Sequence, residues 1–318
     1  MTKKENAIQI LRFGKPEYNM NTMPMHNICY TGCNHDGYNM SYDDCSLGEK
    51  WVDVWGVHWE KKQEGIMGYP ISHPLEDINE LKNYNWPDPN DPRIYKKIYE
   101  MAEQRTDSDC FLCGSHRNLL LEKAESLIGM ENLFIYFYTE PELLREFFRK
   151  YMDFQIKIAE HYISLGVEMI TCSEDMGTQN SLLISLELIN DFLVPEYKRL
   201  FSLYKQHGVI IEFHSCGHIE PFIETLIDLG VDILNPVQAT ANNLENVRKI
   251  TQNRMALHGG VNSDTILNGP IEAIKDEIKL RIEALGAKGG YFCDADQHMN
   301  FPPENIRTFY ESVRQFGK

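Results

Sequence analysis

Nothing in this 318-residue chain approaches the roughly 18–20 consecutive apolar residues that a membrane-spanning helix needs. Basic charge is also scarce. Against 47 Asp and Glu stand 31 Lys and Arg, a formal net charge of −16. That balance attracts neither a nucleic acid nor an anionic lipid surface, so neither is expected as a partner. Met1-Thr-Lys-Lys-Glu-Asn6 has basic residues but no apolar segment behind them, and no signal peptide is read. Internal repeats and low-complexity tracts are missing too. The eight cysteines are therefore read as reduced thiols of a cytoplasmic protein, mostly buried, with some available to a metal.

What is present divides in two. Residues 1–95 are irregular and rich in Asn, Tyr, Trp, Met and Pro, and read as an N-terminal extension or cap. Glu5–Phe13 suits a short helix, and Trp51-Val-Asp-Val-Trp-Gly-Val-His-Trp59 suits strands of a small sheet. The breaker run Trp86-Pro-Asp-Pro-Asn-Asp-Pro92 marks the boundary. From 96 to 318, short β-branched runs alternate with helical patterns. Strands are expected at Cys110–Cys113, Val167–Cys172, Val209–Phe213, Val231–Leu234, Met255–His258 and Gly290–Cys293. The clearest helix follows Thr139-Glu-Pro-Glu142, which reads as a capping box. Repeated β-then-α units imply parallel strands with helical crossovers. The expected fold is an α/β (β/α)8 barrel, a TIM barrel, with residues 1–95 packed on it as part of one domain. A doubly wound sheet is second, because no Gly-x-Gly-x-x-Gly follows a strand.

In such a barrel the chemistry gathers on loops leaving the carboxyl ends of the strands. Those exits carry Glu174, Asp175 and Gln179, then His214-Ser-Cys216, then Asn235 and Gln238, then His258 and Asn262, and last Cys293 to His298. His214 and Cys216 stand two apart on an extended segment, so both project to one face. With Cys293 they make a His-Cys-Cys set, three ligands with a fourth position open, as in catalytic zinc. Two thiolates and an imidazole favour Zn²⁺ over Mg²⁺ or Ca²⁺. Against this stands the bland alternative of packed cysteines beside a hydrogen-bonded histidine.

Glu174 and Asp175 are candidates for a general base, a metal ligand or a substrate holder, against the plainer role of a helix cap. Gln179, Asn235, Gln238, His258, Asn262 and His298 are expected to line a substrate pocket. Cys110-x-x-Cys113 reads as two buried cysteines, since strand residues three apart face opposite sides. Cys29, Cys33 and His35 are a weaker second metal set without a fourth ligand. The Trp and Tyr of residues 51–69 read as packing, with a lid as the alternative.

Several of these stretches, in order, resemble the uroporphyrinogen decarboxylase superfamily and its corrinoid methyltransferase branch in particular. They are His214-Ser-Cys-Gly-His-Ile219, Leu229-Gly-Val-Asp-Ile-Leu-Asn-Pro-Val-Gln238, Gly259-Gly-Val-Asn262 and Pro302-Pro-Glu-Asn305. Asp53-Val-Trp-Gly-Val57, His73-Pro-Leu75 and Trp86-Pro-Asp-Pro89 are similar to the front half. The resemblance implies zinc on His214, Cys216 and Cys293, a pocket lined by Glu174 or Asp175, and methyl transfer to or from a corrinoid (cobalamin) cobalt. The Asp-x-His-x-x-Gly cobalt-ligand pattern is missing, so a partner protein is expected to carry the corrinoid.

True decarboxylases of the superfamily have an N-terminal arginine motif for a polycarboxylate, whereas Arg12 is the sole arginine in residues 1–60. The expected activity is therefore a zinc-dependent methyltransferase, leaning to O-demethylation of a methoxylated aromatic because of the aromatic extension. Alternatives are methylcorrinoid:thiol transfer, a metal-free decarboxylase unaffected by chelators, and a zinc-binding module without chemistry.

Overall fold

The computed structural model describes residues 1–30, 45–64 and 68–316. Cys33 and His35, of the weaker metal set, lie outside these. Three short strands, β2 (Lys50–Val52), β3 (His58–Glu60) and β4 (Tyr69–Ser72), form an antiparallel sheet. A larger sheet is wholly parallel. Its order is β1 (Met25–Asn27), β5 (Phe111–Arg117), β6 (Met169–Ser173), β7 (Ile210–His214), β8 (Ile233–Asn235), β9 (Ala256–Val261) and β10 (Tyr291–Ala295).

This larger sheet curls. Met25, Phe111, Met169, Ile210, Ile233, Ala256 and Phe292, one from each strand, meet in a single apolar cluster. Two edge strands of a flat sheet could not share such a cluster. Helix α1 (Lys3–Leu11) inserts Ala7 and Ile10 into it and so closes the amino end of the barrel. A capping box starts α1, with Glu5 N donating to Thr2 Oγ1 and Thr2 N to Glu5 Oε2.

The eighth strand of the expected barrel is not paired among the described residues. The segment before β1 lies beside β10 instead, with Cys293 N donating to Met20 O at 3.0 Å and Asn21 Nδ2 to Cys293 O at 2.9 Å. The fold is TIM-barrel-like, with seven parallel strands among the described residues. Two elements before residue 95, α1 and β1, belong to the barrel itself.

Helices α2 (Pro92–Glu103), α3 (Leu121–Ile128), α4 (Met130–Thr139) and α5 (Pro141–Ser164) come before β6. A single turn, α6 (Leu186–Leu188), runs through a π-turn into α7 (Val194–Gln206). Then come α8 (Ile223–Asp228), α9 (Leu244–Thr251), α10 (Ser263–Asn268), α11 (Ile271–Arg281) and α12 (Pro303–Phe316). The capping box expected at Thr139 does not form: Thr139 ends α4 and its Oγ1 donates to Ile135 O, and α5 begins at Pro141 without a side-chain cap. Proline, tolerated only in a first turn, sets that boundary. Among the described residues, no helix is long and apolar enough to cross a membrane.

The small sheet is tied to the barrel through tryptophan. Asp53 accepts the amides of Trp55 and Val57 at 2.9 Å and the Trp59 indole N–H at 3.0 Å, which fixes the turn between β2 and β3. Trp55, 1% exposed, packs edge-on against Tyr151 and Phe154 of α5 at 5.4 and 4.7 Å.

Candidate metal centre

Side chains alternate along each barrel strand, so inner residues repeat every second position. At the amino end these inner residues form the apolar cluster. Nearer the carboxyl end the inner positions turn polar. Glu212 of β7, His258 of β9 and Asp294 of β10 meet there, each nearly excluded from solvent. His258 bonds Glu212 through Nδ1 and Asp294 through Nε2, both at 3.3 Å. Burial disfavours an imidazolium, but the Glu212 and Asp294 carboxylates outweigh it and hold His258 up to about 10. One step further along β7, about 7 Å higher, is His214.

At the rim, His214, Cys216 and Asp175 converge. Their ligand atoms all lie within 4.8 Å of one another. Cys216 Sγ is 3.5 Å from His214 Nε2, and Asp175 Oδ1 is 3.9 Å from it. Tetrahedral zinc, with bonds of about 2.0–2.3 Å, places its ligand atoms roughly 3.3–3.6 Å apart. The set fits.

Neighbouring groups hold it. His214 Nδ1–H donates to Asn235 Oδ1 at 2.7 Å, which leaves Nε2 with a lone pair toward the other two. Cys216 N donates to Asp175 Oδ1 at 2.9 Å, and Gly217 N to Gln238 Oε1 at 2.8 Å. Gly217 has φ +81°, and a Cβ there would sit 2.4 Å from Gly177 O, so these two loops cross where only glycine fits. Burial and the Asp175 charge push the Cys216 thiol up to about 12. A divalent cation reverses that preference, because a metal-bound thiol is deprotonated.

A description of Uroporphyrinogen decarboxylase (URO-D) matches residues 56–316. The chain belongs to the URO-D family. Among solved structures, a methyltransferase from Methanosarcina mazei is similar over 99% of this chain and 99% of that chain, at TM-score 0.72 and 16% identity. At that identity the likeness establishes a shared fold. A dihydropteroate synthase from Anaplasma phagocytophilum matches 64% of this chain and 73% of its own, at TM-score 0.40 and 16% identity, too loosely to carry an argument. No curated protein matches.

Within this URO-D chain the residues singled out from sequence separate into groups. His214, Cys216 and Asp175 come together, with Asn235 and Gln238 behind them. Cys293 does not join them. It is fully buried, and it packs with Tyr291 and Ala295 in the outer layer of the barrel, while Phe292 joins the inner cluster and Asp294 bonds His258. The alternation of β10 thus turns the thiol away from the mouth.

Glu174 is not in the pocket either. Fully buried, it accepts from Leu120 N, Glu122 N and the Tyr197 hydroxyl at 2.6, 2.8 and 2.8 Å. It anchors the start of α3, a cap on a helix distant in sequence. Burial raises its carboxyl to about 7. Asn262 caps α10 through Asp264 N, Gln179 bonds Thr240 O at the surface, and His298 is exposed, 3.9 Å from Asp294 Oδ2. Cys113 lies in the inner cluster and Cys110 precedes β5, partly exposed.

Two residues were missed. Gln297 Nε2 donates to Cys216 Sγ at 3.1 Å, on the side where a third ligand was expected. Glu122, in the first turn of α3, has a buried Oε2 with no hydrogen-bond partner among the described residues. Burial, Glu174 and Asp175 push its carboxyl up to about 8, with the Asp175 backbone N–H acting the other way. A Glu inside the apolar run Leu119-Leu-Leu-Glu-Lys-Ala124, just after a strand, was the available signal.

Proposed function

We propose that this URO-D family protein is a metal-dependent methyltransferase, moving a methyl group between a small substrate and the cobalt of a corrinoid carried by a partner protein. The observation that carries this reading is the convergence of Asp175, His214 and Cys216 at the carboxyl end of the barrel strands. These residues would hold Zn²⁺, which when bound supplies Lewis acidity to a substrate heteroatom. The chain's own groups do the rest. Asn235 keeps His214 in its ligating tautomer, the Gln297 amide stabilises negative charge on Cys216, and the Gly177–Gly217 crossing holds the loop in register.

The nature of the donors favours demethylation of the substrate. A carboxylate in place of a second thiolate gives less charge to the metal, which suits activating a leaving oxygen better than making a bound thiolate more nucleophilic. A cavity of about 260 Å³ beside Glu122, walled by Trp59 and Tyr69, suits a methoxylated ring. The decarboxylase alternative is disfavoured: a porphyrinogen with many carboxylates would meet Glu122, Asp175, Glu212 and Asp294.

The test combines metal analysis with transfer assays. Purified protein is expected to carry about one zinc per chain and to demethylate 2-methoxyphenol with cob(I)alamin, the methyl moving as a cation to cobalt while oxygen keeps the bonding pair. Transfer from methylcobalamin to a thiol instead would reverse the direction. Absence of metal from wild type, with activity unchanged by chelator, would sink the reading.

A further inference from the structure

We propose that Glu122 is the exchangeable oxygen ligand of the metal centre, and that substrate reaches the metal from the adjoining cavity by displacing it. The proposal rests on the metal-dependent reading above and adds to it a route of entry and a fourth ligand.

Three observations carry it. Glu122 Oε2 is withdrawn from solvent yet has no hydrogen-bond partner among the described residues, a state that a ligand supplying the partner would relieve. Its backbone is clamped where that matters, for Glu122 N donates to Glu174 Oε1 at 2.8 Å while the next residue, Asp175, belongs to the metal set. Glu122 also lines the cavity of about 260 Å³ between β3, β4 and α3, with Trp59, Tyr69 and Asn118 on the other walls. It therefore stands at the junction of the cavity and the metal set.

Its carboxylate lies outside the 4.8 Å group of Asp175, His214 and Cys216, so ligation takes a change in the Glu122 side chain's position. Three protein ligands leave the fourth position of a tetrahedral ion to a displaceable group. On substrate entry the Glu122 carboxylate would give up its bond to the ion as the substrate heteroatom takes that position, with no change of oxidation state.

Cobalt(II) in place of zinc makes the shell visible. Wild-type protein, Glu122→Gln and Glu122→Ala would be loaded with Co²⁺, and their d–d absorption and affinity compared by chelator competition. Both variants are expected to bind Co²⁺ about 10–100-fold more weakly, with an altered visible spectrum. Adding 2-methoxyphenol should shift the wild-type spectrum toward that of the variants. Cys293→Ser serves as the control that keeps wild-type affinity, and circular dichroism checks the fold. Unchanged affinity and spectrum in both folded Glu122 variants would overturn the proposal while leaving the metal-dependent reading intact. Failure of wild type to bind Co²⁺ at all would overturn both.

Discussion

The two ends of the barrel interior are built from the same strands and share nothing chemically. At the amino end Met25, Phe111, Met169, Ile233 and Phe292 make an apolar floor sealed by α1. Two or four residues further along the same strands stand Glu212, His258, Asp294, His214 and, past the strand end, Cys216. Backbone geometry is common to both ends. Distance along the strand alone decides whether an inward side chain stabilises the fold or does chemistry, and the stable floor lets the rim carry charge.

The sharpest break of that contrast is at the rim. His214→Ala and Cys216→Ala are expected to lose the metal almost completely while staying folded, and Cys293→Ala to keep it, as read by metal analysis of dialysed protein. Metal loss in Cys293→Ala alone would reverse the assignment of faces on β10. At the floor, Phe292→Ala should cost about 3–5 kcal/mol in urea unfolding through the cavity it leaves, with metal affinity of the folded protein unchanged.

Between the ends, His258 should give a pH signature. Its ordinary value is 6.5 and its folded value about 10, so its stabilising contribution is complete below pH 6.5 and disappears as pH rises through about 10. Urea midpoints of wild type should fall across that window more steeply than those of His258→Gln. Equal slopes would mean that the imidazole is neutral. A smaller effect is expected from Asn235→Ala, about 10–100-fold in metal affinity with stability nearly constant, because it frees His214 to rotate. Gln297→Ala should weaken metal binding least, since Cys216 keeps its bond to the ion and loses one amide donor.

Much of this was legible in advance. The strand expected at Val209–Phe213 is Ile210–His214, and that expected at Val167–Cys172 is Met169–Ser173, because β-branched runs between helical patterns mark buried parallel strands. The His214-x-Cys216 spacing puts both side chains on one face in any extended segment. The face of β10 on which Cys293 lies was not legible, for a definite reason. Tyr291-Phe-Cys-Asp-Ala295 is buried on both sides and shows no apolar–polar alternation, so nothing in it tells inner from outer. Glu122 escaped notice because residues 119–138 were given no element, and their two helices, α3 and α4, hide it in an apolar run.

By itself, then, the amino-acid sequence determined the order of strands from β6 onward, the polar strand ends and the pairing of His214 with Cys216, all of which depend on local spacing. Which third group meets that pair was decided by tertiary structure. Asp175 and Glu122 come from the exits of β6 and β5, brought together when those two strands pair and Glu174 draws α3 against β6. Local spacing carries no information about such contacts, because they depend on the register and curvature of strands far apart in the chain.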